Sequence, residues 1–264
     1  MEATAQHSPA DAAMIETFMD LAIRAGETIL QIRERGAAAM LKEDRSPVTE
    51  ADTAAEAIIL DGLHRAWPDI PVIAEEAATA GALPEVGRRF FLVDPLDGTK
   101  EFIRGDDSFT VNIALVEDRM PSAGVVLAPA RAQAWSGRGN AAALYRLGGG
   151  KVAASQAIGV RPCPASPVAV ASRSHRDPQT DAFLAERGVT EVTSIGSSLK
   201  FCLLAEGTAD LYPRFGPTME WDTAAGHAVL NAAGGRVTGL DGGPFLYGKK
   251  EAGFRNPGFI AQGG

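Results

Sequence analysis

Between positions 11 and 35 apolar residues recur at steps of three and four: Ile15, Phe18, Met19, Ala22, Ile23, then Ile29, Leu30 and Ile32. That period predicts an amphipathic helix. A polar loop, LKEDRSPVTEAD, leads to a second helix that runs to Pro68. Thr49 reads as its N-cap, with Asp52 three residues on as an acidic partner in a near-variant of the capping box. The period then changes. PVIAEE (71–76), RFFLVD (89–94) and SFTVNIALV (108–116) read as strands, and AGVVLAP, QAWSG and AALYRL (123–147) as an antiparallel meander.

Residues 147 to 167 are rich in Gly, Ala, Ser and Pro and mark an expected boundary between two subdomains. Residues 1–150 would form an α+β unit of two helices and an antiparallel sheet. Residues 151–264 would form an α/β unit, with strands at 168–172, 191–195 and ADLYPR and helices at 178–187, 198–207 and 222–235. The class is mixed α and β.

The chain has 264 residues, enough for sizeable cores, and its 45% apolar and 22% charged composition is ordinary for a globular protein. A net charge of −8 removes the basic footprint that a nucleic-acid polymer requires. Two cysteines, Cys163 and Cys202, are too few for a disulfide framework and fit reduced thiols. The acidic N-terminal stretch lacks the basic and apolar regions of a signal peptide, and no apolar run is long enough to span a membrane. These features predict a cytoplasmic protein, with loose peripheral membrane association left open.

One stretch carries chemistry. In FFLVDPLDGTKEF the apolar strand stops at Asp94, and a second acid, Asp97, follows three residues later. Buried carboxylates without a counter-charge cost several kcal/mol or take up a proton. A hard divalent cation such as Mg²⁺ meets the need, since it prefers oxygen ligands. Pro95 fixes the bend between the acids and Gly98 lets the backbone approach a ligand. The N–H groups of Gly98 and Thr99 are placed to hold an anion. Glu75 and Glu76 end a neighbouring strand-like segment. Taken alone, Asp222 reads as a helix N-cap, Asp52 as a first-turn acid favoured by the helix dipole, and Glu76 as a surface acid.

DPLDGT (94–99) resembles the signature of the inositol monophosphatase superfamily of Mg²⁺-dependent, Li⁺-sensitive phosphatases. SPVTEAD (46–52), AEE (74–76) and EWDTAAGHAVL (220–230) stand in the family's order, so the resemblance spans nearly the whole chain. GTKEF (98–102), GSSLKFC (196–202) and YPRFGPTMEWDTAAGHAVL (212–230) are most similar to the 3′(2′),5′-bisphosphate nucleotidase branch. The resemblance implies a layered αβαβα sandwich. It implies two or three Mg²⁺ ions, one on Glu75, Asp94 and the Leu96 carbonyl, a second on Asp94, Asp97 and Asp222, and a weaker third on Glu75. The substrate phosphate would rest on Gly98 and Thr99, and Asp52 would accept the Thr99 hydroxyl so that the pair activates water. Lys200 and Arg214, with Ser197 as a hydroxyl donor, would anchor a second phosphate; the other reading of Lys200 is a solvated helix residue. SRSH (172–175) would border the base or sugar, and His227 would be structural.

The expected activity is therefore removal of the 3′-phosphate of 3′-phosphoadenosine 5′-phosphate (PAP), with its phosphosulfate analogue (PAPS) as a further substrate. Expected partners are the small bisphosphorylated nucleotide and, at most, a second copy in a homodimer. The same chemistry on inositol or sugar phosphates is the alternative, and a non-catalytic phosphate-binding module is a third reading that the Asp52 and Thr99 pair speaks against. LGGGKVAAS is not a P-loop, because Val152 stands where Ser or Thr is required and Tyr145 where the first glycine belongs.

Overall fold

The computed structural model describes residues 9–36, 39–41, 47–172 and 178–264. The chain opens with α1 (Pro9–Arg35), a small hairpin of β1 (Ala39–Leu41) and β2 (Pro47–Thr49), and α2 (Glu50–Ala66). Next come β3 (Val72–Ala74), α3 (Glu75–Thr79), β4 (Arg89–Asp97) and α4 (Thr99–Ile103). A meander follows: β5 (Thr110–Glu117), β6 (Met120–Ala128), β7 (Gln133–Arg138), β8 (Ala141–Gly148) and β9 (Lys151–Ile158). The remainder runs β10 (Val168–Ser172), α5 (Pro178–Glu186), β11 (Glu191–Ile195), α6 (Leu199–Ala205), β12 (Leu211–Arg214), β13 (Thr218–Met219) and α7 (Glu220–Ala232). It closes with β14 (Arg236–Gly239), β15 (Arg255–Asn256) and β16 (Phe259–Gln262).

A seven-stranded sheet takes the order β3-β4-β5-β6-β7-β8-β9, and a five-stranded sheet the order β11-β10-β12-β16-β14. The central strands of the large sheet are apolar on both faces because both faces are covered. Phe91, Val93, Val111, Ile113 and Val125 point into one core with α1 and α2. Phe90, Leu92, Ala114, Val116 and Val126 point into the other, shared with α6, α7 and residues of the second sheet. The outer face of the five-stranded sheet is closed by α5, where Leu184 meets Ala169, Leu211 and Ile260. The layers are therefore αβαβα, as the resemblance implied.

Three local expectations are corrected. PVIAEE is not one strand: β3 ends at Ala74, and Glu75 and Glu76 open α3. RFFLVD does not stop at Asp94; β4 continues through Pro95 to Asp97. Asp94 pairs with Asn112 and Asp97 with Thr110, so Pro95 and Leu96 together oppose Val111 alone. This bulge excuses Pro95 from donating a ladder hydrogen bond. Lastly, part of the small-residue stretch after 147 is a strand. Gly149 and Gly150 have φ of 58° and 70°, the left-handed pair that a two-residue hairpin turn needs, and β9 returns along β8 from Gly148↔Lys151. The expected 150/151 division falls inside that hairpin.

Candidate active site

The site is assembled from the ends of several elements. In α2, Thr49 is the N-cap; its hydroxyl accepts from Ala51 N at 3.1 Å. Asp52 completes the capping box, with Oδ2 accepting from the Thr49 amide and hydroxyl, both at 2.8 Å. Its other oxygen, Oδ1, accepts from the Thr99 hydroxyl at 3.0 Å. The first-turn acid is thus buried and tied to the start of α4, rather than facing solvent. Thr99 also lies 3.2 Å from the Leu96 carbonyl, which the bulge turns toward it. Gly98, between them, has φ 95°. A side chain there would also be 3.3 Å from the Ser108 carbonyl and the Phe109 backbone, so the position is reserved for glycine.

Asp94 is buried, with Oδ1 accepting from Leu96 N at 3.0 Å. Burial, reinforced by the negative charges of Glu75, Asp97 and Asp222, raises its pKa well above the ordinary carboxylate value. Asp222 is raised well above the usual range by burial and then by Asp97 and Glu75. Burial pushes Asp97 up to about 6, against the opposing influence of Lys200 and the Ser198 amide. Asp222 is not an N-cap. It is the third residue of α7, and its Oδ2 accepts from Met219 N, the actual cap residue, at 2.8 Å.

Glu75, Asp94, Leu96, Asp97, Gly98, Thr99, Ser197, Lys200, Arg214 and Asp222 all line one cleft of about 310 Å³. Asp52 reaches it through Thr99. Among the described residues no three acidic, His or Cys side chains are already drawn together as a closed ligand cluster. The carboxylates instead stand apart along the cleft, near enough to raise one another's pKa. That oxygen-only donor set fits a hard divalent cation.

Basic residues line the same cleft. Lys200 is 4% exposed, so the solvated-helix reading does not hold. Its ammonium donates to the Ser197 carbonyl at 2.5 Å and lies 3.4 Å from that of Ile195 and 5.2 Å from the Tyr212 ring centre. Burial lowers its pKa to about 8, with Asp97 acting in the other direction. Arg214 donates to the carbonyls of Gly216 and Pro217 at 3.2 and 3.1 Å. Ser197 holds a left-handed φ of 54°, a strained setting for a non-glycine residue.

Sequence reasoning passed over several contributors. Glu56, buried on α2, accepts from Glu76 N at 2.8 Å and Ala77 N at 2.9 Å, and so caps α3 at the turn that presents Glu75. The only hint was an acid four residues after Asp52, on the same helix face. Behind Asp94 and Asp97, the buried Ser198 hydroxyl donates to Asn112 at 2.6 Å and lies 2.8 Å from the Thr110 hydroxyl. Polar residues at alternate positions of SFTVNIALV were the visible trace. Tyr212, Thr218 and Trp221 also border the cleft. His227 is buried, 3.1 Å from the Tyr247 hydroxyl and away from the cleft. Of SRSH, residues 173–175 lie outside the described residues.

Comparison with known proteins identifies the family. The inositol monophosphatase family model matches residues 11–262. The chain is 47% identical over 250 residues to the 3′(2′),5′-bisphosphate nucleotidase CysQ of Salmonella typhimurium, covering 93% of this chain and 98% of that protein. It is 46% identical over 248 residues to the protein of the same name from Escherichia coli K12, with the same coverage. Among solved structures, CysQ from Bacteroides thetaiotaomicron, described as a bacterial member of the inositol monophosphatase family, superposes with a TM-score of 0.78 at 37% identity, over 95% of this chain and 97% of that one. An inositol monophosphatase from Thermotoga maritima gives 0.75 at 25% identity, over 95% and 92%. With the family model covering almost the full length and the acidic cleft in place, the chain belongs to the inositol monophosphatase family.

Proposed function

We propose that this protein is a Mg²⁺-dependent 3′(2′),5′-bisphosphate nucleotidase that removes the 3′-phosphate of PAP to give AMP and phosphate, and acts also on PAPS. The observation that carries the reading is a single cleft lined by the carboxylates of Glu75, Asp94, Asp97 and Asp222 together with Lys200 and Arg214. A substrate with two phosphates, one on cations and one on basic side chains, matches that lining. Nucleotidases of that name at 46–47% identity support it.

In this reading Glu75, Asp94 and the Leu96 carbonyl would hold one Mg²⁺, and Asp94, Asp97 and Asp222 a second, with Glu75 supporting a weaker third. When bound, such cations would supply a lowered water pKa and charge neutralisation at the phosphoryl group. The N–H groups of Gly98 and Thr99 orient the phosphoryl oxygens. Thr99 Oγ1 takes a proton from the water while its own proton moves to Asp52 Oδ1, along the 3.0 Å hydrogen bond already present. Oxygen attacks phosphorus, the bond to the 3′-oxygen breaks, and that oxygen takes a proton from a solvent water, while Asp52 later returns its proton to solvent. Lys200, Arg214 and the Ser197 hydroxyl hold the 5′-phosphate. No helix among the described residues is long and apolar enough to cross a membrane; we place the enzyme in the cytoplasm, as a monomer or homodimer. Incubation of PAP with the protein and Mg²⁺ should yield AMP and phosphate in equal amounts, and EDTA should stop it. Adenosine 3′-phosphate as the product would refute the assigned orientation.

A further inference from the structure

Asp222 sits on a segment whose conformation is set by the C-terminal loop. We propose that Lys249, with Glu220 and Asn256, forms a clamp that positions Asp222. The inference rests on reading Asp222 as a cation ligand.

Glu220, the first residue of α7, is fully buried. Its carboxylate accepts from Gly248 N at 2.8 Å, Lys249 N at 2.9 Å and Lys249 Nζ at 2.8 Å. The same ammonium donates to Asn256 Oδ1 at 3.0 Å and to the Leu246 carbonyl. Asn256 is thereby oriented so that its Nδ2 reaches the Met219 carbonyl at 2.9 Å and the hydroxyls of Thr223 at 3.0 Å and Thr218 at 3.2 Å. The Glu220 amide is held by the Phe254 carbonyl at 2.8 Å. Met219 is therefore gripped on its C-terminal side by the loop, and its N–H holds Asp222 Oδ2 at 2.8 Å.

Every step from Lys249 to Asp222 is a hydrogen bond between buried or half-buried groups. Such a chain transmits orientation because few of its links are open to exchange with bulk water. A buried ion pair contributes little net stability, so its placement here is better explained by geometry than by strength. Groups that orient a ligand from behind commonly alter metal affinity about 10- to 100-fold when removed.

The test is Mg²⁺ titration by calorimetry, with kinetics in parallel, on the full chain. Unaltered protein is titrated first; no Mg²⁺ binding there would overturn both the Asp222 reading and the clamp. Given binding, Lys249→Met should weaken Mg²⁺ affinity about tenfold. It should raise the Mg²⁺ concentration for half-activity equally and leave KM for PAP at saturating Mg²⁺ within about twofold, because the Lys249 ammonium bonds to Glu220, Leu246 and Asn256 and not to Lys200 or Arg214. Asn256→Ala, which spares the ion pair and removes the bonds to Met219 and Thr223, should act in the same direction and carries the test if Lys249→Met fails to fold. Leu184→Ala, in the separate core under α5, serves as the control for general loss of stability. Unchanged Mg²⁺ affinity in folded Asn256→Ala or Lys249→Met, with only a lower melting temperature as in the control, would overturn the clamp and leave the Asp222 reading intact.

Discussion

At the scale of single residues, the Asp52–Thr99 contact is the most informative. Asp52 already spends Oδ2 on capping α2, and Oδ1 is turned to a hydroxyl at the cleft. Asp52→Asn preserves shape and removes the proposed proton acceptor. It should lower kcat by about 10²–10⁴, the usual range for a positioned acid–base group, while calorimetry shows Mg²⁺ binding within about threefold of normal. A near-normal rate would take Asp52 out of the mechanism. Lys200 and Arg214 make a second pair of expectations. Lys200→Ala or Arg214→Ala should raise KM for PAP at least tenfold, since a charge-assisted contact to phosphate contributes about 1.5–3 kcal/mol. Hydrolysis of a simple monophosphate should change little, and equal losses on both substrates would sink the second anchor. The sequence made Asp94 and Asp97 visible because acids with no local neutraliser, and a glycine after them, are costly unless a ligand explains them; Asp52, Thr99, Lys200 and Arg214 took their roles from the family resemblance. It hid Glu56, whose role depends on backbone groups twenty residues away.

At the scale of elements, α7 sets the position of Asp222, and it lies hard against the large sheet. A Cβ on Gly124 would come within 2.6 Å of the Ala225 carbonyl, and one on Gly137 within 2.5 Å of Val229 Cα. Both neighbours are backbone, so neither can swing away. Gly137→Ala should lift α7 from β7, costing about 1–3 kcal/mol of stability. Thermal melting and Mg²⁺ titration of the same sample should both show the change, and wild-type values in both would mean the helix tolerates the shift. The periodicities of α1, α2 and β5 were legible because each buries one or two faces in a regular way. The bulge at Pro95 and Leu96 was not, since it depends on which residues of β5 stand opposite. Strand β9 was missed because its side chains are exposed on both faces and carry no pattern; only the paired glycines before it gave a signal. The start of α3 at Glu75 likewise answers to a tertiary cap.

For the whole molecule, the cleft carboxylates couple stability to pH and to cations. Asp94 and Asp222 are held well above the usual carboxylate range, and Asp97 is raised to about 6. A raised acid binds more protons folded than unfolded between about pH 4 and its folded value, so stability falls as pH rises through that window. Asp118 and Asp210 are lowered by Arg88 and Arg161 and act in the opposite sense below about pH 4. His227, which burial lowers to about 3, also opposes, between about pH 6.5 and 3, but three raised carboxylates outweigh one imidazole. In EDTA the melting temperature should therefore rise by a few degrees between pH 7 and pH 5. Saturating Mg²⁺ should stabilise more at pH 7 than at pH 5, because protons compete for the same oxygens. A metal-free melting temperature that falls steadily over that range would contradict the shared carboxylate site.

The most direct test of the central claim is phosphate release by the purified protein with Mg²⁺, offered PAP and inositol 1-phosphate side by side. A cleft lined by both carboxylates and basic side chains predicts a kcat/KM for PAP at least a hundredfold higher, about what two charge-assisted contacts to the second phosphate supply. Equal or reversed preference would contradict the bisphosphate assignment and give Lys200 and Arg214 no phosphate to hold.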